Sequence, residues 1–243
     1  MSTARSLVLE AKCELLCQIR EPAFVLPTLL FPVLFYVLFG VLLSNGTAAA
    51  EYTLAGYGVF GIMGAALFGF GAGLAQERER GLLQLKRALP APPGGWMLAK
   101  MVAAMAFAAA ISLLLAGVAA WGGVSLSAAQ WALLFAINIA GVLPFCALGM
   151  YIGSLVRGNA AIAVVNILFL PMAFLSGLWL PLAMLPDIFG RLAPVWPAYH
   201  LGQIAMKVVG HDAGASAWLH LGVLAVVTAA FFVLARRRLA EAG

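Results

Sequence analysis

Residues 53–75 read TLAGYGVFGIMGAALFGFGAGLA, and residues 76–87 follow at once as QERERGLLQLKR. The first stretch carries no charged side chain over a length that can cross about 30 Å of hydrocarbon as a helix. The second stretch is dense in charge and cannot lie in hydrocarbon. An uncharged run followed directly by a charged one predicts a membrane-spanning helix that ends at a membrane surface.

The composition extends this interpretation to the whole chain. Of its 243 residues, 64% are hydrophobic and 9% are charged, against about 25% charged residues in a soluble domain. Since backbone groups cannot stay unpaired in lipid, every spanning stretch is predicted to be helical. The six predicted spans cover residues 23–44, 53–75, 100–121, 129–154, 159–180 and 216–235. The sequence therefore predicts an all-α integral membrane protein whose residues 1–243 form a single transmembrane domain.

The basic residues predict the orientation. If the N-terminus is cytosolic, the outer side holds only Arg191 and Lys207. The cytosolic side then holds Arg5, Lys12, Arg20, Arg78, Arg80, Lys86, Arg87, Lys100, Arg157, Arg236, Arg237 and Arg238. This asymmetry follows the positive-inside rule, so we expect a multi-pass protein of the cell (inner) membrane with both termini cytosolic.

Two segments outside the spans have patterns of their own. Within residues 1–22, apolar side chains recur on one helical face and Glu10, Glu14, Gln18 and Glu21 lie opposite, which predicts an amphipathic helix on the membrane surface. Residues 181–215 are rich in proline and too interrupted to span. We expect one or two short helices there, interfacial or re-entrant, at the outer face.

The segment 76–98 is the predicted cytosolic loop between the second and third spans. Leu82, Leu83 and Leu85 lie between its charges and a break in the helix at Pro90, Pro92, Pro93, Gly94 and Gly95. The pattern suits either a solvated helix end with snorkelling cations or a short helix that docks into a partner.

A few residues inside the spans have two possible roles. Asn138 and Asn166 are the most polar of them, and such side chains either bond across helices or line a pathway. Gly69 and Gly73 form a Gly-x-x-x-Gly pair, which favours either close helix packing or a helix that deforms.

The sequence lacks the residues that several classes of function need. No His-Glu-x-x-His and no Gly-x-Ser-x-Gly occurs, and His200, His211 and His220 lack a fourth ligand for zinc, so neither a catalytic nor a metal site is predicted. An ion gradient has almost no ionisable group in the spans to act on. No Gly-x-x-x-x-Gly-Lys-Ser/Thr is present either, so we expect no bound cofactor in this chain. Active transport would need a second polypeptide.

Four stretches resemble one family. The first is Arg20-Glu21-Pro22, and the second is the run Phe31-Pro32-Val33-Leu34-Phe35-Tyr36-Val37-Leu38-Phe39-Gly40. The third is Glu77-Arg78-Glu79-Arg80-Gly81-Leu82-Leu83, which is followed by Leu89-Pro90. The fourth is Ser176-Gly177-Leu178-Trp179-Leu180-Pro181-Leu182, which is followed by Leu185-Pro186. In this order and spacing the chain resembles the permease subunits of type-2 ATP-binding-cassette exporters, and the likeness covers essentially the whole chain. The sequence of the first span is more similar to that of the drug and antibiotic-resistance branch than to that of the polysaccharide branch.

The resemblance implies a complex of several polypeptide chains. Two permease copies, as a homodimer, would each bind a cytosolic ATPase that holds ATP and Mg, and a lipophilic or amphipathic cargo would leave between the copies. Residues 1–22 would be a connecting helix. The coupling helix would include Gln76, Glu77, Arg78, Glu79, Arg80, Leu82 and Leu83.

Three alternatives stay open at this point. A glycan or lipid-linked exporter of the same family is one. A passive channel or membrane scaffold is another, and co-purification with an ATPase separates it from an exporter. An intramembrane enzyme would need a reactive cluster that the sequence does not contain. A nucleic-acid partner is not expected.

Overall fold

The computed structural model describes residues 3–44, 46–88 and 95–241, and this part of the chain is helical without a strand. The predicted break at residues 90–94 lies outside the described residues. Ten helices follow in order: α1 Thr3–Ile19, α2 Pro22–Leu42, α3 Thr47–Glu79, α4 Leu82–Ala88, α5 Gly95–Trp121, α6 Ala128–Leu155, α7 Ala160–Leu175, α8 Asp187–Leu192, α9 Pro197–Val208 and α10 Ala217–Glu241.

Five of these helices, α2, α3, α5, α6 and α10, are long and apolar enough to cross a membrane. The predicted fifth span, 159–180, is shorter than expected, because α7 has 16 residues and ends at Leu175. At 1.5 Å per residue its length is about 24 Å. The chain turns at Gly177, whose φ of 72° suits glycine, and Pro181 follows. The all-α membrane fold is confirmed, with α7 as a shorter apolar helix beside the five long ones.

Helix α3 is the centre of the bundle. In its most apolar stretch 83% of the residues are buried, against 17% in α2 and 11% in α10. It packs on α2, α5, α6, α7 and α9, whereas α10 packs along α6 and α9 at the edge. The many glycines of α3 therefore fit its central position, since small residues let several helices pack closely around one helix.

Helices α3 and α6 approach each other through glycine. A Cβ on Gly71 would lie 3.0 Å from the Gly149 Cα, and a Cβ on Gly153 would overlap the Gly71 carbonyl oxygen. The backbones thus touch where either side chain would intervene. Of the predicted roles for glycine pairs, close packing fits Gly149 and Gly153.

Short helices connect α7 to α10, as predicted for residues 181–215. The turns Leu182–Met184 and Ala193–Val195 flank α8, and α9 follows. Helix α9 is largely buried against α3, α6 and α10. Trp121 and Trp218 are exposed at the end of α5 and the start of α10, a position typical of the aromatic belt at a membrane surface.

The α3–α6 contact predicts that Gly153→Ala destabilises the fold. The added methyl group meets backbone rather than a movable side chain, so the helices must shift apart, at a cost of about 1–3 kcal/mol. Gly222→Ala in α10 is the matched control, because no atom lies within 4 Å of its Cβ position. Thermal unfolding of the detergent-purified protein measures both. Equal midpoints for the two variants would contradict the contact.

Candidate functional site

A fully buried lysine lies at one end of the bundle. Lys100 Nζ is 2.6 Å from Glu14 Oε2 and 2.7 Å from Glu77 Oε1. The Lys100 side chain is 0% exposed, that of Glu14 is 5% exposed and that of Glu77 is 24% exposed. A buried charge is tolerated only with partners of the opposite sign, so the three side chains form one unit, the Lys100 network.

The Lys100 network connects three helices that are far apart in the sequence. Glu14 comes from α1, Glu77 from the last turn of α3, and Lys100 from the second turn of α5. We call this end of the bundle the α1 side. Of the predicted polar face, Glu14 and Gln18 are buried and Glu21 is exposed, and Gln18 Nε2 donates to the Gly69 carbonyl oxygen at 3.5 Å. On the apolar face Val8 and Ile19 are exposed, whereas Ala11 is buried.

The sequence could not place Lys100 because the third span was predicted to begin there. The helix actually begins at Gly95, so Lys100 lies more than one turn inside α5 and cannot reach water beyond the helix end. The basic-residue pattern predicts that Lys100 lies on the cytosolic side, and the structure adds that its side chain is fully buried there rather than in contact with solvent. The available signal was the apolar run Trp96-Met97-Leu98-Ala99 before the lysine, which already suits a buried helix.

Two other charges predicted to dock a partner, Arg78 and Glu79, also contact this chain. Arg78 Nη1 donates to the carbonyl oxygens of Gly153 at 2.6 Å and Val156 at 3.4 Å, where α6 ends and carbonyl groups lack helical partners. The Glu79 carboxylate lies against Gly158 in the next turn. With Glu77 in the Lys100 network, these three side chains bind the end of α3 to α5, α6 and the α6–α7 turn.

Helix α4 has an outward face. The chain turns at Gly81, with φ of 73°, between α3 and α4. Leu83 is buried and anchors α4, whereas Leu82 and Leu85 are 40% and 64% exposed, and Arg80 is exposed beside them. Two exposed leucines beside an arginine are available to another molecule. Of the predicted coupling residues, Arg80 and Leu82 point outward and Leu83 does not.

A groove runs from the α1 side between α2, α3 and α7. Its volume is about 620 Å³, within the roughly 300–1,000 Å³ typical of ligand pockets. Gln18, Glu21 and Gln76 line its α1 end. The remaining wall is mostly apolar and includes Phe24, Phe31, Phe35, Phe60, Phe68, Phe169 and Trp179.

Aromatic side chains close the far end of this groove. Phe35 stacks on Trp179, with ring centroids 6.2 Å apart, and Phe60 meets Trp179 edge-on at 5.4 Å. Phe169 packs on Phe60 at 4.9 Å. From Gln76 to Phe60 is sixteen residues along α3, or about 24 Å. The groove is thus polar at one end and aromatic at the other.

The remaining predicted residues separate into two places. Asn166, Gly69 and Gly73 line the groove; the Asn166 amide group donates to the Ile162 carbonyl oxygen at 3.0 Å, and Gly69 packs on Phe24. Asn138 lies instead in a cleft of about 290 Å³ between α3, α5 and α6. The two asparagines do not share a site.

The groove wall includes a distorted part of α3. Residues Ala65–Ala72 have π-helical geometry, and Ala65, Phe68, Gly69 and Ala72 line the groove. A second π-helical stretch, Val37–Leu42, ends α2. Such stretches are rare and occur often at functional sites, because the extra residue per turn redirects side chains.

The histidines do not form a metal site among the described residues, where no group of three or more possible ligands occurs. His200 Nε2 lies 2.9 Å from the Pro194 carbonyl oxygen, which can only accept, so His200 Nδ1 accepts from His220 Nδ1 at 2.8 Å when both rings are neutral. The pair joins α9 to α10. Nearby, a hydrogen bond from Lys207 lowers the pKa of Asp212.

Five long apolar helices, a buried charge network at one end and a groove that starts there are the features of a multi-pass membrane protein. The family model described as ABC-2 type transporter matches residues 7–209. The chain belongs to this family, as its resemblance to type-2 exporters predicted. Membership makes it a transport permease rather than an enzyme.

Two curated relatives are similar to it. The protein named "Putative transport permease YvfS" of Bacillus subtilis (strain 168) is 27% identical over 231 residues, which cover 92% of this chain and 94% of that protein. "Nodulation protein J" of Sinorhizobium fredii (strain NBRC 101917 / NGR234) is 31% identical over 110 residues, or 44% of this chain and 42% of that protein. The first likeness spans nearly the full length of both chains.

The Lys100 network predicts a large loss of stability in Lys100→Met. Removing the ammonium group leaves two carboxylates with little access to water, which costs about 3 kcal/mol. Lys207→Met is the control, since the Lys207 side chain is 41% exposed and its partly exposed ion pair with Asp212 is worth about 1 kcal/mol or less. Thermal unfolding of the purified protein compares the two.

Restoring neutrality should rescue the fold. In the triple variant Glu14→Gln, Lys100→Met, Glu77→Gln, the three side chains of the Lys100 network are neutral, so most of the stability should return. If Lys100→Met unfolds like the wild type, the network is not a stabilising unit.

Proposed function

We propose that this chain is the membrane-spanning subunit of an ATP-driven exporter that moves a lipophilic or amphipathic small molecule outward. The observation that carries the proposal is the groove between α2, α3 and α7, which starts at polar side chains on the α1 side and ends at an aromatic cluster. A molecule with an apolar body can enter such a groove from one membrane surface while its polar part stays at that surface.

A second permease copy is the proposed partner across the groove. The exposed faces of α2 and α7 on either side of it are apolar and include Leu26, Leu30, Leu34, Val164 and Ile167. Against lipid these side chains gain no further burial energy, but against a twin surface they exclude lipid and close the groove. The two grooves would then form one pathway in a homodimer.

The α1 side is the proposed cytosolic side, where a separate ATPase with ATP and Mg would dock on α4. Leu82 and Leu85 supply apolar contact and Arg80 supplies steering charge. Glu77 and Arg78 connect α3, next to α4, to α1, α5 and α6, so force on α4 reaches the groove helices. Family membership supports this arrangement, because ABC-2 permeases generally work with a cytosolic ATPase.

A glycan or lipid-linked glycan cargo is the second candidate. Aromatic side chains stack on sugar rings as well as on drug rings, and Phe35, Phe60 and Trp179 would serve either cargo. A glycan also needs many hydrogen-bond partners, and the groove offers few beyond Gln18, Glu21, Thr28, Gln76 and Asn166. The groove therefore favours the apolar cargo.

The orientation predicts a labelling pattern for two introduced cysteines. Because Cys13 and Cys17 are exposed on α1, the background is Cys13→Ser/Cys17→Ser, while Cys146 is buried and stays unreactive. A membrane-impermeant maleimide on intact cells should label Ser125→Cys, in the exposed α5–α6 loop, and should label Arg80→Cys only after permeabilisation. The reverse pattern would invert the topology.

The docking proposal predicts that Leu85→Gln weakens binding of the cognate ATPase. Burying one leucine is worth about 1.5–3 kcal/mol, so affinity should fall about tenfold or more. Met184→Gln is the control, because Met184 is similarly exposed but lies in the α7–α8 connection at the other side. Pull-down of the ATPase at matched membrane expression decides. Unchanged binding would favour a solvated α4 without a docking role.

A further inference from the structure

The charge of the groove wall is one-sided. Among the described residues that line the groove, Glu21 is the one ionisable side chain, and none is Lys, Arg or His. Arg20, its neighbour in the sequence, does not line the groove. A phosphate or carboxylate cargo would thus find no cationic partner in this wall, while a cation would find an anion.

Glu21 is available to such a cation. It stands between α1 and α2, at the residue before Pro22, and its side chain is exposed at the polar end of the groove. It forms no ion pair among the residues that the structure describes, in contrast to Glu14 and Glu77, which both contact Lys100. The α1 end therefore carries a carboxylate that faces the groove without a counter-ion.

The aromatic wall has the same preference. Ring faces carry the negative part of the aromatic quadrupole, so a cation near Phe, Tyr or Trp is attracted and an anion is repelled. Phe24 and Phe68 lie nearest the polar end, and Phe35, Phe60 and Trp179 lie beyond them. A cation that leaves Glu21 would meet aromatic side chains along the groove, and no other charged side chain is among the described residues that line it.

We propose that the groove selects an organic cation, with its positive charge at Glu21 and its apolar body among the phenylalanine side chains. The proposal rests on the proposed exporter function and names its cargo class. Glu21 is then a specificity-determining residue rather than a structural one. Its influence is moderate, because an exposed carboxylate interacts through partly screened charge.

Three molecules of nearly the same shape test the charge preference. Tetraphenylphosphonium is a cation, tetraphenylborate is an anion and tetraphenylsilane is neutral. Equilibrium binding to the purified permease, measured without the ATPase, should be strongest for tetraphenylphosphonium and weakest for tetraphenylborate. Because no transport is involved, this measurement can succeed or fail independently of the exporter proposal, which the ATPase pull-down tests.

Variants of Glu21 assign the preference to this side chain. Glu21→Gln should bind tetraphenylphosphonium about five-fold more weakly, with tetraphenylsilane unaffected. Glu21→Asp should keep the preference, which separates the effect of charge from a loss of folding. Asp187→Asn, an exposed carboxylate outside the groove, should bind all three molecules as the wild type does.

Three results would overturn the proposal. One is equal binding of the cation and the anion by the wild type, and another is a preference that survives in Glu21→Gln. The third is absence of tetraphenylphosphonium binding to the purified wild type.

Discussion

The absence of water inside a bilayer is the constraint on which the structure depends. A backbone or charged group in such a medium needs a partner from the protein, so the spans are helices and Lys100 is held by Glu14 and Glu77. Each partner comes from a different helix. The Lys100 ammonium group must be neutralised, and this requirement determines how α1, α3 and α5 pack together. Because α1 and α3 also line the groove, their packing determines where the groove begins.

The end of α3 is held by charged side chains, whereas its middle is distorted. Near Glu79 the helix is attached by charged side chains, with Arg78 donating to the end of α6. Between Ala65 and Ala72 it has π-helical geometry, and its glycines replace side-chain contacts with backbone contacts. Movement at the attached end would be transmitted as a rigid body, and the π-helical stretch beside the groove is the natural place for it to be absorbed.

Much of the fold could be predicted from the sequence because hydropathy and length are properties of single segments. Five spans, the short outer helices and the α1 helix follow from them. The Lys100 network could not be predicted, since Glu14, Glu77 and Lys100 are separated by 63 and 23 residues and their pairing depends on tertiary packing. The direction of the α1 polar face was missed for the same reason. That Asn166 lines the groove and Asn138 lies in a different cleft also depends on tertiary packing.

The groove and the Lys100 network are formed by neighbouring residues of α1 and α3. Gln18 lines the groove one turn after Glu14 enters the network, and Gln76 lines it directly before Glu77. A change in how α1 and α3 pack would thus alter the groove entrance and the burial of Lys100 together. Because separating Lys100 from its carboxylates is costly in a medium of low polarity, the entrance is held in one shape unless a larger interaction energy opposes it. In the proposed exporter, ATPase binding at α4 is the available source of that energy.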